Sequence, residues 1–338
     1  MATPALRALR AAYPNAWIAG VMRPVVADVL EGLPFLDGRI LWHPRSGMAH
    51  CSTARVWRVL RTIRPHVALL LTNSLRSALL AATAGIGRRI GYARDGRGWL
   101  LTDRLHAPRQ AGRWQPIPQV EYYLRLTDRF GCPRRGLALE LRTTARDEAE
   151  AEDLWRREGL HQAEHVVVFN PGSAYGPAKR WPPHYFADLA RRFTSLGNTA
   201  VLVLCGPEER ELARTIVREA NCSGVCTVAD YPLRIGLSKA CVRRASLLVT
   251  TDSGPRHFAA AFGVPVVTLF GPTDIRWTET FYEHALHLQR QVPCGPCQLR
   301  VCPLDHRCMR ELEPELVFRE AVRFWTDTLL RRTKRVPA

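Results

Sequence analysis

The stretch Asn170-Pro-Gly-Ser-Ala-Tyr-Gly-Pro-Ala-Lys-Arg-Trp181 follows a short apolar run at 166–169 and precedes a segment with helical spacing. Further on, Thr251-Asp-Ser-Gly-Pro-Arg-His257 stands in the same setting, after an apolar run at 247–250. Two buried strands that each run into a loop and then a helix place both loops at the carboxyl edge of one parallel sheet, where open α/β sheets hold ligands. Gly172, Ser173 and Lys179 beside a helix start suit a diphosphate. The second loop offers a carboxylate (Asp252), a hydroxyl (Ser253), a flexible glycine (Gly254) and an imidazole (His257).

At 338 residues, 46% of them hydrophobic, the chain has room for two domains of ordinary size. No apolar run approaches the roughly 20 residues that span a bilayer, and the start lacks the basic-then-apolar order of a secretory leader. A soluble cytoplasmic protein is expected. Ten cysteines diluted in a long α/β sequence read as reduced thiols. The net charge is +17, and the only lysines are Lys179, Lys239 and Lys334. Arginines outnumber acids by about two to one through the first 150 residues, which favours an acidic partner such as a phosphorylated glycan or an anionic membrane face. Nucleic acid is not expected, because no binding module or stacking-aromatic pattern accompanies the charge.

Along the chain, strand-like and helix-like segments alternate. Strands are predicted at 16–22, 66–71 and 89–92, helices at 52–63, 76–84 and 120–130, and a long surface loop at 96–118. Thr144 is placed to cap an acid-rich helix running to about Glu158. A second unit follows, with strands at 164–170, 199–205, 246–250 and 264–269, helices at 183–195, 208–220, 232–244 and 255–262, and a closing helix at 313–332. The fold class is α/β: two Rossmann-like doubly wound domains, 1–146 and 147–338, facing across a cleft. The first unit opens on a helix, 3–13, whereas such a domain normally begins with its central strand. The expectation is a first strand lying before Met1 and a slot beside the 16–22 strand; a permuted or reduced domain is the alternative.

The stretch 171–182, with Asp252-Ser-Gly-Pro-Arg-His257 and Phe270-Gly-Pro-Thr-Asp274, resembles glycosyltransferase family 9, the ADP-heptose:lipopolysaccharide heptosyltransferases. Its Gly-Pro-Ala-Lys-Arg-Trp-Pro form is most similar to the heptosyltransferase II branch, and residues 1–10 match the helix after the family's first strand. The resemblance implies a GT-B fold with the acceptor held by the N-terminal domain and the sugar nucleotide by the C-terminal one. It implies inverting transfer of heptose from ADP-heptose to a phosphorylated lipopolysaccharide core, with no cofactor and no metal, near the cytoplasmic face of the inner membrane. Other readings are a family 9 transferase with another nucleotide sugar or acceptor, and a non-catalytic nucleotide-sugar-binding remnant.

For the site, the resemblance implies that Gly172, Ser173, Ala174 and Lys179 meet the departing diphosphate together with Ser253 and Gly254. Glu209, or Glu208, takes the place of an acid that hydrogen-bonds the adenosine ribose. Asp252 positions donor hydroxyls or orders its loop, His257 hydrogen-bonds phosphate, and Thr273 and Asp274 reach the sugar. The family's general base is an aspartate in the turn before its first helix. Residue 1 already lies in that helix, so the base is expected upstream of Met1; none of Asp28, Asp37 or Asp95 holds an equivalent position. Cys294-x2-Cys297-x4-Cys302-x5-Cys308, with His306, reads either as a structural zinc loop or as reduced thiols or a disulfide.

Overall fold

The structure, a computed structural model, describes residues 1–334. The chain divides into two compact units, Met1–Glu140 with Arg276–Thr280, and Leu141–Ile275 with the residues from Phe281 onward. The division falls slightly before the expected 146/147 border, because the helix that crosses that border packs wholly within the second unit.

Unit 1 opens on α1 (Thr3–Ala12), whose small buried face, Thr3, Pro4, Ala5 and Ala8, rests on α5 (Gln119–Arg129). β1 (Ala19–Met22), α2 (Pro24–Val29) and β2 (Gly38–Leu41) come next, the two strands pairing in parallel. β1 starts at Ala19 rather than at 16 because the Ile18 amide donates to the Asp37 carboxylate (2.7 Å) instead of to a strand. α3 (Thr53–Ile63) and α4 (Leu75–Thr83) are each capped by a serine: Ser52 Oγ accepts from the Arg55 amide, and Ser74 Oγ from that of Ser77. Between and after them lie β3 (Val67–Leu70), β4 (Arg88–Tyr92) and β5 (Asp103–Leu105), a second parallel sheet. Val56 and Leu60 of α3 pack on Leu80 and Ala81 of α4 and on Ala84, which caps it.

Among the described residues β1 and β3 belong to different sheets, so unit 1 carries two short parallel sheets in place of one continuous layer. The expected loop at 96–118 is also more ordered than its Gly, Pro and Arg content suggests. It contains β5 and a two-stranded hairpin, β6 (Arg109–Gln110) and β7 (Arg113–Trp114). A strand of three residues is too short to show alternation; β5 is fixed instead by its ladder to β4 and by Arg88 against Asp103 (3.2 Å).

Unit 2 begins with α6 (Ala145–Arg157), closed by a capping box in which Thr144 and Asp147 exchange hydrogen bonds. Then follow β8 (His165–Asn170), α7 (Pro183–Thr194), β9 (Thr199–Val203), α8 (Arg210–Ala220), β10 (Val225–Thr227) and α9 (Ile235–Arg244). The chain continues through β11 (Leu247–Thr251), α10 (Pro255–Phe262), β12 (Val266–Phe270), β13 (Ala285–Gln289), α11 (Arg307–Arg310) and α12 (Pro314–Lys334). The six strands form one parallel sheet in the order β10-β9-β8-β11-β12-β13. β10 and β13 had no clear alternation in the sequence, and both are edge strands. The central strands are buried on both faces, which is why they read as unbroken Val/Leu runs; each such side chain contributes roughly 1.5–3 kcal/mol. From β8 the chain moves outward through β9 and β10, then returns to the other side of β8 with β11. The order reverses between β8 and β11.

α6 and α9 approach closely at Gly236, where a Cβ would stand 1.8 Å from Asp147 Oδ1. Asp147 and Lys239 are both fully buried there; Asp147 Oδ2 accepts from the Thr144 amide (2.9 Å), and Lys239 Nζ lies 3.8 Å from that oxygen and donates to the Arg142 carbonyl (2.9 Å). Among the described residues no helix is long and apolar enough to cross a membrane. Asp147→Ala removes the carboxylate half of the capping box and leaves a buried ammonium without that carboxylate, an expected loss of about 3–5 kcal/mol in urea unfolding. Adding Lys239→Met should restore most of it; a single variant within about 0.5 kcal/mol of the parent would show the pair to be inert.

Candidate functional site

β8 and β11 end side by side, with Asn170 opposite Thr250, so the loops that follow them leave the sheet at one edge. The strand ends are tied by side chains. Asn170 Nδ2 donates to Thr250 Oγ1 (3.2 Å) and Ser253 Oγ (2.8 Å), and Thr251 Oγ1 donates to the Gly172 carbonyl (2.8 Å). In a water-poor setting such bonds are strong and fix both loops relative to each other.

At the centre lie Lys179 and Asp252, only 8% and 6% exposed. Lys179, at the end of the short 3-10 turn Pro177–Lys179, donates from Nζ to Asp252 Oδ2 at 2.5 Å and to the Asp252 carbonyl at 3.2 Å. Thr273, just after β12, donates to the same Oδ2 (2.8 Å), and Arg256 Nη1 lies 3.8 Å from Oδ1. Burying two opposite charges costs several kcal/mol per ion unless further hydrogen bonds satisfy them, and here the carboxylate has three partners. The Lys179 ammonium also faces the Tyr175 ring, 4.5 Å from its centroid.

Glu209 closes the other side of the first loop. A Cβ on Gly172 would stand 2.0 Å from Glu209 Oε2, so the carboxylate occupies the space that only a glycine leaves. Glu209 accepts from the Gly206 amide (3.0 Å), which aims it; Glu208, the other candidate, is exposed. Ser173 is buried beside this contact, and Ala174 is exposed at the loop's tip. Gly254 is the exposed N-cap of α10, with open space where a side chain would project, and Ser253 and His257 flank it half-buried. Burial first, and the neighbouring Arg256 second, push the His257 pKa well below its ordinary value, so the imidazole is neutral; its Nδ1 is buried without a hydrogen-bond partner. Asp274 follows Thr273 and is half-buried. Gln289 holds that turn by donating to the carbonyls of Gly271 (3.1 Å) and Thr273 (2.8 Å).

The cysteine-bearing segment braces these loops. Tyr175 OH donates to the Gln298 carbonyl (2.5 Å), the Ala178 amide to the Arg300 carbonyl (3.0 Å), and the Gln298 amide to the Pro272 carbonyl (2.8 Å). His306 Nε2 pairs with the Ala178 carbonyl (2.7 Å), and Trp181 Nε1 donates to the Leu312 carbonyl (2.8 Å). Cys294, Cys297, Cys302 and Cys308 are free thiols around a cavity of about 20 Å³. Burial and the three other thiols raise Cys308 to about 11, which keeps it protonated. Among the described residues no three His, Cys, Asp or Glu side chains are grouped to hold a metal ion.

Gly172, Ser173, Lys179, Glu209, Asp252, Ser253 and Thr273 are thus brought together. Sequence reasoning missed Asn170, Thr250, Thr251, Tyr175 and Arg256. Polar residues ending an otherwise apolar strand were the available signal for the first three; nothing local marks Tyr175 as the ring beside the lysine.

The sequence profile of glycosyltransferase family 9 (heptosyltransferase) matches residues 53–307. Lipooligosaccharide heptosyltransferase 2 of Campylobacter jejuni is 33% identical over 169 residues, 48% of this chain, and the match spans about half (51%) of that relative's length. Lipopolysaccharide heptosyltransferase 2 of Escherichia coli is 30% identical over 283 residues, covering 80% of this chain and 79% of that protein. Among solved structures, a family 9 glycosyl transferase from Veillonella parvula superposes with a TM-score of 0.80 at 23% identity, covering 96% of this chain and 93% of that one. The E. coli ADP-heptose heptosyltransferase II superposes at 0.76 and 23% identity, covering 97% and 95%. At that identity the superpositions speak for the fold, which is GT-B. The profile match over most of the chain and the E. coli relative at 30% identity establish that this chain belongs to glycosyltransferase family 9.

Proposed function

We propose that the chain is an inverting glycosyltransferase that moves heptose from ADP-heptose to the lipopolysaccharide inner core, without a metal or other cofactor. The observation that carries this reading is the buried Lys179–Asp252–Thr273 set at the mouth of β8 and β11, with Glu209 packed on Gly172 beside it. In such a transfer an acceptor hydroxyl oxygen attacks the anomeric carbon and gives up its proton to a general base or to water, while the bond from that carbon to the distal phosphate oxygen breaks. The departing ADP takes the electron pair, so negative charge grows on the diphosphate. Donors fixed in advance around that charge lower the barrier, because they need no reorganisation as it forms.

In this reading Lys179, the amides of Ser173 and Ala174, and the start of α10 at Ser253 and Gly254 receive the diphosphate. Asp252 and Thr273 hold Lys179 in place, so the cation is shared between carboxylate and phosphate. Neutral His257 serves as an uncharged hydrogen-bonding group. Glu209 accepts from the ribose hydroxyls, and Asp274 lies toward the sugar. The acceptor is a phosphorylated glycan anchored at a cytoplasmic membrane face, with no part for nucleic acid. Because these groups read phosphates and ribose rather than sugar stereochemistry, a transferase for another adenosine-linked sugar is the second reading. Mass spectrometry of a core acceptor incubated with ADP-heptose or ADP-glucose decides between them: only the former should extend it.

Lys179→Ala is expected to weaken ADP binding, measured calorimetrically, by more than tenfold, the equivalent of about 1.5–3 kcal/mol for a charged hydrogen bond. Unchanged affinity would remove Lys179 from the site. Glu209→Ala should weaken ADP by roughly tenfold and leave pyrophosphate unaffected, since the carboxylate meets only the ribose. Gly172→Ala should reproduce that loss by displacing Glu209. Equal effects on ADP and pyrophosphate would place Glu209 elsewhere.

A further inference from the structure

Residues 38–94 contain ten arginines and not one aspartate or glutamate, and this segment supplies +10 of the chain's net +17. It holds α3 and α4, which bury one face of each helix against the other through Val56, Leu60, Leu80, Ala81 and Ala84. Away from this contact both helices carry exposed residues. On α3 these include Arg55, Arg58 and Arg61, with Trp57 (37% exposed) between them and the Arg61 guanidinium 5.5 Å from its ring centroid. On α4 Leu75 and Leu79, one turn apart and 46% and 45% exposed, flank exposed Arg76. Among the described residues Arg55, Arg58 and Arg61 of α3 and Arg76 of α4 form no ion pair, unlike Arg7, Arg10, Arg88, Arg129 and Arg134 of the same unit.

We propose that the outer face of α3 and α4 docks on an anionic lipid bilayer. Basic side chains without acidic neighbours complement a negatively charged lipid surface, and a tryptophan with two leucines among them supplies apolar groups for the headgroup boundary. A solvated basic face that served only solubility would intersperse acids and hide its large apolar side chains. A double-stranded nucleic acid would call for the arginines without the leucines. The inference deepens the proposed function, since an acceptor anchored in a bilayer is met at that surface, but it is tested without transfer.

The test is co-sedimentation of the full chain with vesicles of phosphatidylglycerol and phosphatidylethanolamine, or of phosphatidylcholine alone. Binding is expected to the anionic vesicles only and to fall as NaCl rises from about 0.1 to about 0.5 M. Arg55→Gln/Arg58→Gln/Arg61→Gln should weaken it by roughly a hundredfold, about fivefold for each arginine. Trp57→Ser should weaken it several-fold even at the higher salt, while helical content and ADP binding stay as in the parent. Equal binding to both vesicle types, or a triple variant that binds like the parent, overturns the inference. So does an arginine-dependent binding of duplex DNA or self-association in the absence of vesicle binding. Vesicle binding by a chain that does not bind ADP would sink the proposed function and leave the docking face standing; ADP binding without vesicle binding would do the reverse.

Discussion

The ion pair between Lys179 and Asp252 is the constraint around which the second unit is arranged. Neither charge is tolerated alone where water is scarce, so both loops must arrive in register. Asn170 and Thr250 tie the strands beneath them, Thr273 brings in β12, and Tyr175 covers the ammonium. The segment from Gln298 to Leu312 holds the outer side of the same loop through three of its backbone carbonyls, those of Gln298, Arg300 and Leu312. A polar centre so fully satisfied is rigid, and rigidity is what electrostatic stabilisation of a leaving group requires.

Much of this was legible in the sequence because the physics that forms the sheet is local. Strands 166–169 and 247–250 are buried on both faces and therefore spelled in unbroken apolar runs, and the glycine-bearing loops after them were marked by the change of composition. The Thr144–Asp147 cap was visible as a short pattern. What stayed hidden depends on distant partners. β10 and β13 lie at the edges, where little burial is needed to fix a strand, and β5 has three residues. That Glu209 rather than Glu208 faces Gly172 follows from an amide of Gly206 aiming its carboxylate, which no spacing reveals. Nor does spacing show that β1 and β3 fall in separate sheets.

The cysteine segment shows what geometry adds to composition. Four sulfurs and an imidazole in so short a stretch allow a metal loop or reduced thiols; in the structure the imidazole pairs with the Ala178 carbonyl and burial pushes the Cys308 thiol up. The segment's evident work is structural, carried by its backbone and by His306.

The strand order of unit 2 also bears on how the site comes into being. β8 and β11 are neighbours in space, but Asn170 and Thr250 are 80 positions apart along the chain. Closing so long a loop costs entropy before any contact returns it, and sheets built from such pairings fold slowly. During synthesis the lysine loop emerges well before its carboxylate. The Lys179–Asp252 pair therefore forms only once the centre of the sheet has closed, so that its appearance reports the pairing of β8 with β11.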